Sequence, residues 1–338
     1  LGIVWAMTFQ TPSPTPSLDE LARRQCNVVT ASQLRARGVP ARTVTEHCRP
    51  GGPWQRLLPR VFLLQSGTPA PEQRIWAALL YAAQNGMVER RGTPVITGGA
   101  ALALYGFASV PGLRYFRGVD VLVPRQRRLR DAGEVRILRT ERALESRLVH
   151  GLACAPMARA VADALAVPEG LPAPAVVRDL LREAVADRGC PVRELVTELR
   201  EAGLLQLSPV RAALDEVLAA SREAALLRLG ELLDGLLLPR PVCGVELRMR
   251  GGTFVAVPDV FWPERGVAVE LDSDVRCVSE GESAWVRGGQ HRMEYLGVRV
   301  VYLASERLAA EPEAVGRELR VALAAGGMDP VPLTVHQQ

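Results

Sequence analysis

A chain of 338 residues is longer than one ordinary domain, so two or three units are expected, and a hydrophobic fraction of 48% with a mean hydropathy of +0.08 supplies real cores. No apolar run approaches the roughly 20 residues of a membrane helix, which predicts a soluble protein with no membrane partner, and the cysteine usage predicts a cytoplasmic one. The net charge is +4 and every one of the 41 basic residues is arginine, a pattern of coding bias that by itself does not signal nucleic acid.

Six cysteines (Cys26, Cys48, Cys154, Cys190, Cys243 and Cys277) are scattered without CxxC spacing among only four histidines. That excludes an ordinary zinc site and, in a chain with cores this apolar, argues against a disulfide framework and for a reducing compartment. Charge is uneven along the chain: residues 1–66 hold eight arginines against Asp19, Glu20 and Glu46, so the N-terminal end is the basic one.

In chain order, residues 1–16 end in Thr11-Pro12-Ser13-Pro14-Thr15-Pro16 and read as a disordered leader, with neither a signal peptide nor an anchor expected. Ser17, with Glu20 three residues on, starts a helix that runs to about Cys26. Thr30 caps a second helix over 31–37 that Gly38 ends; Val39-Pro40 turns the chain, and 41–49 is a third helix closed by Pro50-Gly51-Gly52. Residues 54–64 form a short hairpin with Pro59 near its bend. Three short helices and a basic hairpin over 17–66 are the layout of a winged helix-turn-helix, which binds double-stranded DNA. Its third helix would present Arg42, Thr43, Thr45, Glu46 and Arg49 to a major groove, and Arg56 and Arg60 on the wing would meet phosphates. The same layout also serves as a protein-docking module, and that alternative stays open.

Val28-Val29-Thr30, Gly38-Val39-Pro40-Ala41-Arg42-Thr43-Val44 and Trp54-Gln55-Arg56-Leu57-Leu58-Pro59-Arg60-Val61-Phe62 resemble the N-terminal domain of AbiEi-type antitoxins over residues 18–66. The resemblance implies an autoregulatory DNA-binding repressor, in some members paired with a nucleotidyltransferase toxin. It places Arg42, Thr43, Arg56 and Arg60 where such a domain contacts DNA.

Residues 67–220 are expected to be a mostly helical middle domain. Its segment 71–106 reads as helical, Gly98-Gly99 as a helix start rather than a phosphate loop, 119–123 and 135–138 as strands, and His150 as an ordinary surface or packing residue.

The C-terminal segment, 221–326, reads as α/β, with 327–338 a tail. Here 254–261 and 267–271 form two strands around a Pro263-Glu264-Arg265-Gly266 turn. Glu270 and Asp272 share a strand face and the hairpin returns Asp259 towards them, so three carboxylates converge either as a site for a hard cation such as Mg²⁺ or as a solvated sheet edge. Pro258-Asp259, ten further residues and Glu270-Leu271-Asp272, with Gly297-Val298-Arg299-Val300-Val301-Tyr302 as closing strand, resemble the Vsr-like branch of the PD-(D/E)xK nucleases over 221–325. The resemblance implies a restriction-endonuclease-like fold, with Glu223, Asp259, Glu270 and Asp272 in the catalytic positions and Asp259 and Glu270 as metal ligands. Asp272 stands where a lysine normally assists, no lysine exists anywhere in the chain, and Cys277 lies near the position of a histidine. The expected protein is therefore a multidomain α/β DNA-binding regulator with a degenerate nuclease-like domain, no required cofactor and a two-fold homodimeric assembly. A Mg²⁺-dependent endonuclease and a protein-interaction scaffold or antitoxin partner are the alternatives.

Overall fold

The computed structural model describes residues 17–83, 93–116, 118–167, 170–271, 280–326 and 333–337. The 1–16 leader, Asp272 and Cys277 lie outside them. The described residues are mixed α/β, 47% helical and 21% strand, with their strands divided among several small sheets rather than one large one. It falls into two compact units, 1–156 and 157–338.

In the first unit, Ser17 caps α1 (Leu18–Arg24) by accepting from the Glu20 N–H at 3.2 Å. After β1 (Val28–Thr30), Thr30 and Gln33 form a reciprocal capping box at the start of α2 (Ala31–Arg35). Pro40 then opens α3 (Ala41–His47), which stops two residues short of the expected end, leaving Arg49 in the following turn. The hairpin of β2 (Gln55–Leu58) and β3 (Val61–Leu63) is joined by β1, so the sheet has three antiparallel strands in the order β1-β3-β2. Val29, Leu34 and Val44 form the small buried core between these helices and the sheet, with Trp54, Phe62 and Leu64 packed against it.

The next helix, α4 (Pro71–Ala83), is buried almost all round, because it packs against that sheet on one side and a second sheet on the other. Its Gln73 donates to the Cys26 carbonyl at 3.0 Å. The second sheet is where the structure departs most from expectation. Residues 95–154, assigned from the sequence to a mostly helical segment with strands only at 119–123 and 135–138, contribute β4 (Val95–Thr97), β5 (Val119–Pro124), β6 (Val135–Thr140), β7 (Arg147–Val149) and β8 (Leu152–Cys154), in the order β6-β5-β4-β8-β7; β5 and β6 are the two expected strands. Only α5 (Gly98–Leu104) and a short 3₁₀ turn interrupt them. The short strand β4 is fully buried and lacks the polar alternation that would have marked it, so it merges in sequence with the apolar helix that follows. His150 and Gly151 both have positive φ, 50° and 77°, and make the two-residue turn between β7 and β8.

The second unit opens with α6 (Met157–Leu165), α7 (Pro174–Arg182), α8 (Val192–Glu201) and the 28-residue α9 (Ser208–Gly235). The expected boundary at 220/221 falls inside α9, since nothing between Pro209 and Gly230 breaks a helix. Val210, Ala213, Leu214 and Val217 are buried in its first half; Ala225, Leu229 and Leu233 in its second half join a core with the following sheet. That sheet consists of β9 (Val242–Cys243), β12 (Val260–Trp262), β13 (Val267–Leu271) and β14 (Arg299–Leu303), in the order β14-β13-β12-β9. Central β13 is buried at every position, pairing antiparallel with β12 and parallel with β14. A second, three-stranded sheet is built from β10 (Val245–Met249), β11 (Phe254–Ala256) and β15 (Leu333–Gln337), so the single strand expected over 254–261 is broken around Pro258 into β11 and β12, which lie in different sheets. The expected C-terminal tail is therefore partly a strand: alternating Leu333-Thr334-Val335-His336 pairs in register with β10. Three helices complete the unit: α10 (Glu280–Tyr295), α11 (Ser305–Ala310) and α12 (Pro312–Ala325).

Candidate nucleic-acid interface and carboxylate site

The residues expected to contact DNA do not all share one surface. Ala41, Val44, Thr45 and Cys48 lie three to four residues apart, and this face of α3 borders a groove of about 580 Å³ also lined by Arg35, Val39, Pro40, Arg56, Arg60 and Phe62. Thr45, Arg56 and Arg60 thus belong to the groove. Arg42 and Arg49 do not line it: Arg42 pairs across the exposed helix surface with Glu46 at 3.5 Å, and Arg49 lies in the turn after α3. Thr43 is half-buried on another side of α3. Arg35, from the last turn of α2, takes a place that the sequence reading did not assign. Residues three apart in sequence from the Gly38 turn were the available signal, because a tight helix-helix turn brings the end of the first helix beside the start of the second.

Three exposed guanidiniums therefore rim a groove whose floor is Val39, Val44 and Phe62, with no carboxylate among the described residues that line it. None of the three takes part in an ion pair among the described residues. Burial pushes the Cys48 thiol up from its ordinary pKa, and the nearby Arg56 charge works against that rise. Such a groove can receive a polyanion, with charge at the rim and an apolar floor for sugar or base edges.

Arg60 is held by its backbone. Pro59 and Arg60 connect β2 to β3, and Arg60 sits at φ 64°, the left-handed conformation that the third position of such a turn usually gives to glycine or asparagine. The N–H of Ala31, at the start of α2, donates to the Arg60 carbonyl at 2.9 Å and fixes the turn against the helix.

In the second unit the register pairs Val260 with Val269, which brings Asp259 level with Glu270 at the end of the hairpin. Both carboxylates are buried, at 1% and 3% exposure, so the solvated sheet edge is excluded. The partners of Asp259 include Arg222, which donates from Nε to Oδ1, and the Leu271 N–H, which donates to Oδ2 at 2.7 Å. Cys243, paired beside Val260 on β9, has its thiol pushed up by burial and by the Asp259 charge. Glu270 pairs in register with Tyr302, whose hydroxyl donates to Glu294 at 3.0 Å; burial, that bond and the charges of Glu294 and Glu270 raise the phenol.

Glu223 is exposed on α9 and its neighbour Arg222 is the residue that reaches Asp259. The helical period places Arg222 on the stripe of Ala225, Leu229 and Leu233, at spacings of three, four and four, and Glu223 off it, but it does not say which strand covers that stripe. His291 is exposed and 3.8 Å from Glu294. At Gly289, where α10 packs on β11, an added Cβ would stand 3.4 Å from the Ala256 side chain, an ordinary contact. Among the described residues no three His, Cys, Asp or Glu side chains gather as a metal centre, and Asp272 lies outside them. As arranged, Asp259 and Glu270 do not fit Mg²⁺, because a guanidinium and an amide already hold both oxygens of Asp259. No protein-family model matches the chain, and no curated protein matches it.

Proposed function

We propose that the protein is a DNA-binding regulator of AbiEi-antitoxin-like type. Residues 17–66 act as a winged helix-turn-helix reader, and the restriction-endonuclease-like C-terminal domain serves binding or assembly rather than cleavage. The observation that carries this reading is the Arg35, Arg56 and Arg60 groove, since three unpaired guanidiniums around an acid-free concavity favour a polyanion over a protein surface of mixed charge. Arginine at the strained turn position supports it further: glycine would satisfy the backbone, so the side chain is the reason for arginine there. A two-fold dimer reading a palindromic operator, and a nucleotidyltransferase toxin as protein partner, are the assemblies that this reading implies.

The test is fluorescence anisotropy of double-stranded DNA with the full chain and with Arg35→Ala/Arg56→Ala/Arg60→Ala, repeated over a range of salt. Loss of three phosphate contacts is expected to weaken binding and to flatten the salt dependence by a slope of about 2–3. Equal affinity and equal slope in the two proteins would remove the reader. The pairing of Asp259 and Glu270 on adjacent strands leaves a second reading, a metal-dependent endonuclease that would require Arg222 to be displaced, which predicts DNA cleavage with Mg²⁺ or Mn²⁺ that Asp259→Ala/Glu270→Ala abolishes.

A further inference from the structure

The carboxylate site contains its own cation. We infer that Arg222 takes the place at Asp259 that a divalent metal would require, so that the site is closed to Mg²⁺ and Mn²⁺ while the guanidinium is seated.

The Asp259 side chain has no solvent exposure, and a carboxylate so placed needs a positive charge or strong donors beside it. Arg222 supplies the charge through Nε to Oδ1, and the Leu271 N–H supplies the donor to Oδ2. The guanidinium is thus a cation already in place at the carboxylate. A metal at Asp259 would have to bring a double positive charge into contact with it. Nor is Arg222 a freely swinging surface chain. Its helix face continues through Ala225, Leu229 and Leu233, all buried in the core shared with Val260, Val267, Val269 and Leu271, so packing of α9 on the sheet delivers the guanidinium to the carboxylate. The side chain is 44% exposed, which leaves its outer edge in solvent while Nε faces inward. The N-terminal groove and its binding to DNA do not enter this inference.

Mn²⁺ binding, read by electron paramagnetic resonance of the free ion, tests it in the full chain. The wild type and Asp259→Asn are expected to bind Mn²⁺ equally, with no site that depends on Asp259. Arg222→Gln is expected to gain a bound Mn²⁺ that Arg222→Gln/Asp259→Asn loses again, and Arg222→Lys, which keeps the charge, is expected to gain none. An Asp259-dependent Mn²⁺ site in the wild type, or a folded Arg222→Gln without one, overturns the proposal, as does binding by Arg222→Lys. Should Arg222→Gln alone fail to fold, added Mn²⁺ is expected to restore a cooperative thermal transition, and its failure to do so is equally fatal.

Discussion

Arg60 separates what a side chain does for the fold from what it does beyond it. At φ 64° it costs on the order of 1 kcal/mol relative to glycine, and its carbonyl, not its side chain, makes the contact with Ala31. Arg60→Gly is therefore expected to leave stability unchanged or raise it by up to about 1 kcal/mol, while DNA affinity falls and the salt slope drops by about 0.9. Urea denaturation and anisotropy on the same variant separate the two; a large loss of stability would mean that the side chain is structural. The thiols give a second residue-scale prediction. Burial pushes Cys154 to about 12, and burial with the charges of Glu194 and Glu306 pushes Cys190 to about 12, against an ordinary 9.0. The folded chain then keeps protons that the unfolded chain has lost. This contribution to stability is complete below about pH 9 and is lost as pH rises towards 12. Denaturation midpoints should fall over that window, and a thiol reagent at neutral pH should label exposed Cys26 well before Cys154 and Cys190.

Among the elements, the start of α5 is tightly constrained. Gly98 has φ 61°, and a Cβ there would stand 2.9 Å from Asp120 Oδ2, on the carboxylate that Arg136 grips at 2.7 and 2.6 Å across β5 and β6. Gly98→Ala should destabilise the first unit by about 1–3 kcal/mol, through backbone strain and displacement of that ion pair. A midpoint within error of the wild type would show that the helix start can shift freely. The reading of Gly98-Gly99 as a helix start needed only local sequence. The demand for glycine came from a strand some 20 residues away, which no periodicity within 98–104 announces.

For the molecule as a whole, the unit of folding is larger than the proposed reader. Within 17–66 only a small core is buried, and β1, β2 and β3 all pack on α4, whose Gln73 reaches back to Cys26. A fragment of 17–66 is expected to lack a cooperative thermal transition, whereas 17–156 should unfold cooperatively and keep its affinity for DNA. Circular dichroism on the two fragments decides it, and a stable 17–66 would restore the smaller domain boundary. No helix among the described residues is long and apolar enough to cross a membrane.

The sequence by itself determined the features that depend on near neighbours: the Ser17 and Thr30 caps, the Pro40 and Pro59 turns, the pairing of β12 with β13 and the approach of Asp259 to Glu270. Spacing of one to four residues, or a single tight turn, is enough to specify these. Only the tertiary structure decided that Arg35 joins Arg56 and Arg60, that residues 95–154 gather into one sheet, and that Arg222 rather than Glu223 meets Asp259 across 37 residues. Those outcomes rest on which apolar faces bury one another over long separations. Local pattern shows that a face is apolar but not which partner covers it, and a polar side chain on such a face goes wherever the packing carries it.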